Sequence, residues 1–198
     1  MASRRTLFTV PYPAKLTPAT ILREAQTLLD HGGPDALAMR PLADALGVRP
    51  GSLYRHFDSR AALLNQLAEH AADALRDDVT AAAHARTPRA ALDAIARAYL
   101  HFAHTRPHTY DLLMTPRPEQ PPGIKTTAGK HLWNALLAHV GALSGNPDDT
   151  GHAVAYWTFL HGAASLQRSG LYGASGPQDG LDIGLNAILD RMERAAHP

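Results

Sequence analysis

The sequence predicts an all-α protein of about nine helices, with a small N-terminal domain followed by a larger helical one. Apolar residues recur at intervals of three and four through most of the chain, and no segment alternates as a β-strand does. Proline or glycine stands at most of the predicted helix ends. A chain of 198 residues is long enough to bury a small core and a larger one.

The N-terminal segment, residues 1–15, is polar and is predicted to be a flexible arm. The first helix is expected to begin with Thr17 as its N-cap and Pro18 at its first position, and the pair Gly32-Gly33 is expected to end it. Its apolar stripe predicts the buried face, which consists of Ile21, Leu22, Ala25, Leu28 and Leu29. Leu37 and Met39 are then expected to fill the core of a three-helix domain.

Residues 40–60 are predicted to form two short helices joined by a turn. Gly47 follows the first apolar face and tolerates the left-handed conformation that often ends a helix. Pro50 fits only the first turn of a helix, so the second helix should begin there. Leu53 and Phe57 lie four residues apart and should face inward. The side chains left outside belong to Arg49, Ser52, Tyr54, Arg55 and His56.

A short exposed helix that presents hydroxyl, imidazole and guanidinium groups suits the major groove of DNA, where such groups reach base edges and phosphates. Two helices with a glycine in the turn between them are typical of the helix-turn-helix arrangement. An ordinary helical hairpin with a polar face has the same pattern. Geometry alone therefore leaves both interpretations open.

The run L-A-D-A-L-G-V-R-P-G-S-L-Y-R-H-F-D-S-R-A-A-L-L, residues 42–64, closely resembles the DNA-binding signature of the TetR family. The resemblance covers about residues 16–75, and beyond them it extends only to length and helicity. It implies a ligand-responsive, DNA-binding transcriptional regulator, in particular a repressor that a small hydrophobic effector releases from a palindromic operator. The DNA contacts it implies come from Arg40, Arg49, Pro50, Gly51, Ser52, Tyr54, Arg55, His56 and Arg60.

Ala38 departs from the family pattern, which commonly has Ser or Thr at this position before the second helix. An alanine side chain neither caps a helix nor binds a phosphate, so no contact is assigned to it. Arg40 is expected to supply phosphate affinity instead. Arg60 resembles the family's basic residue at the start of the fourth helix, with Asp58 or Ser59 as the cap of that helix.

The helix-turn-helix domain is assigned to residues 16–62 and the effector-binding and dimerisation domain to residues 63–198. The fourth helix should reach about Ala83 and contribute to both cores. Thr87 and Pro88 repeat the cap-plus-proline start and should open the next helix. The remaining expectations are a helix break at Arg106-Pro107, a short helix, a proline-rich loop at 115–123, a helix ending at 145–147, and two long helices at about 148–169 and 180–195.

The two closing helices, at about 148–169 and 180–195, are predicted to form a homodimer interface. The small residues Gly162, Ala163 and Ala164 allow helices to cross closely, and both helices are apolar over a wide arc. The same stripes also suit the core of a single copy, and both interpretations can hold together. Dimerisation would present two recognition helices to half-sites about 34–36 Å apart.

A set of aromatic and polar side chains in the second domain is interpreted as the effector pocket. Largely apolar walls with a few hydroxyl, imidazole and indole groups suit a small hydrophobic ligand, and no cofactor is expected. Each residue taken singly is also explained as part of the core. The set comprises Tyr99, Phe102, Tyr110, Trp133, Tyr156, Trp157 and His161.

Composition and charge further restrict the kinds of protein that this chain can be. The formal net charge is only +1, but residues 1–60 carry eight Lys/Arg against five Asp/Glu, and the rest carries eleven against thirteen. This mild asymmetry has the sign expected for one DNA-facing end. The lack of cysteine excludes disulfides and thiolate sites and suits a cytoplasmic protein. Neither a signal peptide nor an apolar run long enough to span a bilayer is recognised, so no membrane partner is expected.

The histidines are candidate metal ligands, because seven of the twelve fall between residues 101 and 161. His101, His104 and His108 have near-helical spacing. Pro107 interrupts the helix between the last two, and no carboxylate or cysteine companion is evident, so no metal site is predicted.

Catalysis is not expected either, because no acidic residue orients His56 toward Ser52 and no phosphate-binding glycine loop occurs. The alternative to a regulator is a helical protein that binds a small molecule or a metal and no longer binds DNA. Salt separates the two, because phosphate neutralisation makes DNA affinity fall steeply with salt concentration.

Overall fold

The computed structural model of the protein describes residues 16–115, 127–171, 173 and 179–196. Within these ranges the chain forms nine α-helices and no strand, which confirms the predicted fold class. The predicted arm at 1–15 and most of the predicted loop at 115–123 lie outside the described residues. The helices are α1 Pro18–Ala36, α2 Met39–Ala45, α3 Pro50–Leu53, α4 Arg60–Ala83, α5 Pro88–Thr105, α6 Pro107–Met114, α7 Thr127–Ser144, α8 Thr150–Arg168 and α9 Gly180–Ala196. Not one of these helices has the length and apolarity required to cross a bilayer.

Helix α1 begins as its sequence predicts. The backbone N–H of Thr20 donates to the Thr17 hydroxyl at 3.2 Å, and the Thr17 N–H donates to the Thr20 hydroxyl at 2.9 Å. Gly33 has φ +72°, which breaks the helical path at the predicted position, and the chain then makes one further turn to Ala36. A side chain at position 33 would also meet the His108 ring at 3.1 Å. Glycine is therefore required there both by backbone conformation and by space.

Polar caps start two later helices. The Ser59 hydroxyl accepts from the N–H of Ala62 at 3.1 Å, which selects Ser59 from the two predicted caps of α4. Asp149 accepts from the N–H of His152 at 3.1 Å and starts α8. Thr87 and Pro88 open α5 as predicted, with Thr87 at the N-cap position, but the Thr87 side chain makes no capping hydrogen bond. Thr87 is exposed, so water can satisfy the free N–H groups of that first turn.

The buried side chains form two hydrophobic clusters. The N-terminal cluster joins α1, α2 and α3 to the first half of α4, and includes Leu37 and Met39 as predicted. The C-terminal cluster is built from the second half of α4 together with α5, α6, α7, α8 and α9. Helix α4 supplies Ala68 to the first cluster and Leu75 to the second. The inward face of α4 thus belongs to both cores, as the family resemblance implies.

Helix α6 packs against both domains, although it is only eight residues long. Leu112 is 3% exposed and belongs to the N-terminal cluster, whereas Tyr110 is 2% exposed and belongs to the C-terminal one. The buried Thr109 hydroxyl donates to Asp30 Oδ1 at 3.0 Å and accepts from Gln26 Nε2 at 2.7 Å. Gln26 Nε2 also lies 2.8 Å from Asp30 Oδ1, which closes an interdomain hydrogen-bond triangle. Any shift of α6 against α1 therefore breaks this triangle and uncovers Leu112.

The substitution Leu112→Ala is expected to lower the free energy of unfolding by about 2–4 kcal/mol, because it leaves a cavity in the N-terminal core. Leu113→Ala is the matched control, since Leu113 lies on the same helix and is only half-buried. Urea denaturation followed by circular dichroism, at one fixed protein concentration, measures both. Equal losses in the two variants would contradict the assignment of α6 to the N-terminal core.

Candidate functional site

The turn between α2 and α3 has the geometry that its glycine predicts. Gly47 has φ +65°, and its N–H donates to the Asp44 carbonyl at 3.1 Å. The N–H of Val48 then donates to the Ala43 carbonyl at 2.9 Å and satisfies a free end of α2. Ala38 occupies the N-cap position of α2 without a side-chain hydrogen bond, as expected. The two helices therefore form a helix-turn-helix unit whose turn depends on a left-handed glycine.

The outward side of this unit carries the side chains selected from the sequence. Leu53 and Phe57 are 0% and 8% exposed and hold the second helix on the core. Tyr54 is 49% exposed, and Arg55 and His56 are exposed beside it. Regular helix ends at Leu53, earlier than the Leu53–Phe57 spacing predicts, and residues 54–56 form a turn. The helix is short because Ser59 already caps α4 only a few residues later.

Three arginines on this surface have free guanidinium groups. Arg40, Arg49 and Arg55 are exposed, and none makes an ion pair or a side-chain hydrogen bond within the described residues. Four arginines of the second domain differ, because each donates a hydrogen bond to a carboxylate oxygen. These hydrogen-bonded residues are Arg76, Arg89, Arg97 and Arg168. The helix-turn-helix face, by contrast, carries three arginines that no described carboxylate neutralises.

Arg60 has a different environment from the other predicted DNA contacts. Its Nε donates to the Leu37 carbonyl at 2.6 Å, and one terminal nitrogen donates to the Pro34 carbonyl. The guanidinium thereby ties the start of α4 to the chain that follows α1. Arg60 is a structural residue of the N-terminal domain, with only part of its donor set left to face solvent.

Four of the seven predicted pocket residues come together between α5, α6 and α8. The Tyr99 and Tyr110 hydroxyls lie 2.9 Å apart, and their rings meet edge to face at 5.7 Å between centroids. The Tyr110 hydroxyl lies 2.6 Å from Nδ1 of His161. The Trp157 ring packs edge to face on Tyr99 at 5.6 Å. We call these four residues the aromatic cluster.

The other three predicted pocket residues lie elsewhere. Tyr156 is fully buried and its hydroxyl donates to the Leu92 carbonyl, which pins α8 to α5. Phe102 is 1% exposed, and the Arg106 guanidinium lies 5.0 Å above its ring. Trp133 is half-buried against the C-terminal core. These positions suit packing, and their role as ligand contacts stays a prediction.

An ion pair that the sequence did not reveal adjoins the aromatic cluster. The two terminal nitrogens of Arg168 donate to the two carboxylate oxygens of Asp111, each at 2.6 Å, across 57 residues of sequence. The Arg168 guanidinium also lies 5.1 Å from the centre of the Tyr110 ring, and its buried Nε has no partner among the described residues. Such long-range pairing has no local sequence signal. The Asp111–Arg168 pair brings one guanidinium group to the edge of the aromatic cluster.

Burial favours the neutral form of Tyr99 and Tyr110. Desolvation, helped by the neighbouring Tyr110 hydroxyl, raises the pKa of Tyr99 far above its ordinary value. Desolvation also raises the pKa of Tyr110, although the hydrogen bond with Tyr99 and the charge of Arg168 oppose it. Both side chains are therefore neutral hydroxyls at physiological pH. They can donate a hydrogen bond to a ligand or accept one from it.

In the described part of the chain, no three His, Asp or Glu side chains converge as metal ligands would. His104 and His108 lie on different helices, α5 and α6, which Pro107 separates as predicted.

Comparison with known families identifies both parts of the chain. A family model described as bacterial regulatory proteins, tetR family, matches residues 21–67. A second model, described as tetracyclin repressor-like, C-terminal domain, matches residues 92–192. The first span contains the helix-turn-helix unit, and the second contains the aromatic cluster and the helices α7, α8 and most of α9.

Individual proteins agree with these matches. An uncharacterised HTH-type transcriptional regulator of Mycobacterium tuberculosis is 31% identical over 171 residues, covering 82% of this chain and 75% of that protein. The class A tetracycline repressor of transposon 1721 from Escherichia coli is 49% identical over 55 residues, 28% of this chain, and the match spans only 26% of that repressor's length. A solved protein of unknown function from Rhodococcus sp. RHA1 superposes with TM-score 0.75 at 26% identity, covering 93% of this chain and 97% of its own.

The substitution Arg60→Gln is expected to lower the free energy of unfolding by about 1–2 kcal/mol, because two backbone carbonyls lose their charged donor. Arg40→Gln is the matched control and should change stability by less than about 0.5 kcal/mol, since Arg40 is exposed and unpaired. Urea denaturation midpoints of the two variants measure the difference in stability. If both variants were as stable as the wild type, Arg60 would have no structural role.

Proposed function

The chain belongs to the TetR family, whose members are DNA-binding, ligand-responsive repressors, and from this premise we propose how its own residues do that work. The chain is a transcriptional regulator and not an enzyme. We propose that it binds a palindromic operator as a homodimer, through the helix-turn-helix face, and that a small hydrophobic effector releases it. Because its target is chromosomal DNA, we infer that it acts in the cytoplasm.

The free arginines of the helix-turn-helix face support DNA as its partner above all. An arginine that is already paired with a carboxylate gains little from a phosphate, whereas an unpaired one releases condensed counterions when it binds. Arg40, Arg49 and Arg55 are unpaired within the described residues, while four arginines of the second domain are hydrogen-bonded to carboxylates. Phosphate contacts position the protein on the duplex, and other side chains read the bases.

The exposed residues of and around α3 divide into two roles in this proposal. Tyr54, Arg55, Ser52 and Arg49 enter the major groove, where hydroxyl and guanidinium groups distinguish base edges. Arg40, His56 and the remaining donors of Arg60 hold phosphates. Pro50 and Gly51 bring the backbone close to the duplex, because neither residue places a bulky side chain between the backbone and the DNA.

Helices α8 and α9 support dimerisation by the apolar side chains they leave exposed. Val154 is 53% exposed and Ile183 is 69% exposed, and Leu166 on α8 is 37% exposed. The inward faces of the same helices already pack together, since a Cβ at Gly184 would lie 2.4 Å from the Phe159 ring. The apolar faces of α8 and α9 are therefore wider than the part of them that the core of one copy covers. A second copy that covers it would form a four-helix bundle across a two-fold axis.

The aromatic cluster is the proposed effector site. It combines aromatic rings with two neutral hydroxyls and an imidazole, and Arg168 adds a cation at its edge. Tyr110 and Asp111 lie on α6, between Thr109 and Leu112, which contact the N-terminal domain. An effector that displaces Tyr110 or Asp111 therefore moves the same helix that the interdomain hydrogen-bond triangle holds. Such a ligand would favour a different arrangement of the two domains.

Operator binding tests the proposed function. The wild-type chain is expected to bind the intergenic DNA upstream of its gene saturably, with an affinity that falls steeply as salt rises. Tyr54→Ala should weaken binding about ten- to a hundredfold, because a base-reading contact is lost. Fluorescence anisotropy across a salt series measures both effects.

The matched control for this experiment is Thr80→Ala, which changes an exposed residue on α4 away from the helix-turn-helix unit. Its operator affinity should equal that of the wild type. Binding that is insensitive to salt, or that survives Tyr54→Ala unchanged, would rule out the proposed DNA contact surface.

The double substitution Val154→Asp with Ile183→Asp is expected to weaken self-association at least about a hundredfold, because each copy would bury two charges at the interface. Sedimentation velocity measures the monomer fraction, and circular dichroism verifies that the helices are intact. Thr80→Asp serves as the control, since it adds a charge on α4 instead. A double variant that sediments as a wild-type dimer would show that another surface forms the interface.

A further inference from the structure

A second cleft lies at the seam between the two domains, apart from the aromatic cluster. Its walls are α1 of the N-terminal domain, the middle of α4, and the start of α6 with Arg106 before it. Its volume is about 430 Å³. Pockets that hold small organic ligands typically have about 300–1,000 Å³, so the cleft is of sufficient size.

The base of the cleft is apolar and one wall is polar. Leu22 on α1 and Leu67, Ala71 and Ala74 on α4 line the apolar part. The polar wall is the interdomain hydrogen-bond triangle of Gln26, Asp30 and Thr109. A molecule in the cleft would touch the bonds that join α6 to α1.

Two of the remaining polar groups at the cleft are guanidinium groups that donate no side-chain hydrogen bond within the described residues. Arg23 also makes no ion pair there. Arg106 lies 3.6 Å from a carboxylate oxygen of Asp78, a distance too long for a hydrogen bond. The carboxylate of the cleft itself, Asp30, accepts at Oδ1 from Gln26 and Thr109. Within the described residues, the cleft thus offers two guanidinium groups whose hydrogen-bond donors are free for a ligand.

We propose that this cleft is a second ligand site, and that it takes a small carboxylate with a flat apolar body. The carboxylate would accept from Arg23 and Arg106, since guanidinium groups bind planar carboxylates in charge-assisted pairs. The apolar body would lie on the leucine and alanine side chains of α1 and α4.

A ligand at this seam contacts both domains at once, so it favours the arrangement of α1, α4 and α6 in which the cleft has this shape. Ligand binding and DNA binding are then linked, and each changes the affinity for the other by the same factor. Binding of the carboxylate goes beyond the proposed function and is independent of it. Only the effect on operator affinity rests on the proposed DNA binding.

The test uses the full chain and two probes of the same shape. Isothermal titration calorimetry is carried out with 2-naphthoate, which carries the carboxylate, and with 2-naphthamide, which is neutral. Naphthoate should bind at least about tenfold more tightly, because only the anion forms charge-assisted hydrogen bonds with both arginines. Equal affinities, or no binding of naphthoate at millimolar concentration, would overturn the proposal.

Variants locate the site. Arg23→Gln and Arg106→Gln should each weaken naphthoate binding about five- to tenfold and leave naphthamide unaffected. Arg76→Gln is the matched control, since Arg76 lies on α4 outside the cleft and is paired with Asp73 and Asp77. Naphthoate affinity unchanged in both cleft variants would place the ligand elsewhere, for example at Arg168 in the aromatic cluster, and would overturn the assignment.

Operator affinity measured with and without saturating naphthoate then tests the linkage. It should change at least about threefold in the wild type and not in Arg23→Gln. Naphthoate binding without any change in operator affinity would refute the linkage while keeping the site. A chain that binds naphthoate but no operator would refute the proposed function and leave the cleft assignment intact.

Discussion

The structure depends above all on the double burial of helix α6. Two turns of helix place Thr109 and Leu112 in the N-terminal domain and Tyr110 and Asp111 against the second one. A helix this short cannot bend between its two faces, so a displacement on one side is passed to the other. The shared helix α4 gives the domains continuity, and α6 gives them a second contact.

Charge is divided between the domains in a way that follows from their tasks. The second domain neutralises four of its arginines with hydrogen-bonded carboxylates, whereas the helix-turn-helix face leaves Arg40, Arg49 and Arg55 unpaired within the described residues. Surface ion pairs contribute little to stability, so the pairing matters chiefly because it removes competing positive charge. The helix-turn-helix face thereby keeps three arginines available for an anionic partner, although the net charge is only +1.

Local patterns predicted the helices well and the contacts of single side chains less well. Thr17, Gly33, Gly47 and Pro50 mark real boundaries, because capping and backbone conformation depend on neighbouring residues only. Thr87 has the same cap-plus-proline pattern and stands at the N-cap of α5, but its side chain makes no capping hydrogen bond. Arg60 was expected to face DNA, yet it binds carbonyls at the end of α1 that lie far from it in sequence.

The sequence by itself determined the all-α class, the helix-turn-helix unit and the outward residues of its second helix, because periodicity, caps and a compact family signature are local. Only the tertiary structure decided which aromatic residues meet, since Tyr99, Tyr110 and His161 are brought together by the packing of α5, α6 and α8. It also decided the Asp111–Arg168 pair and the cleft lined by Arg23 and Arg106. Contacts between residues distant in the chain depend on how whole helices pack, and a single sequence carries no local pattern for them.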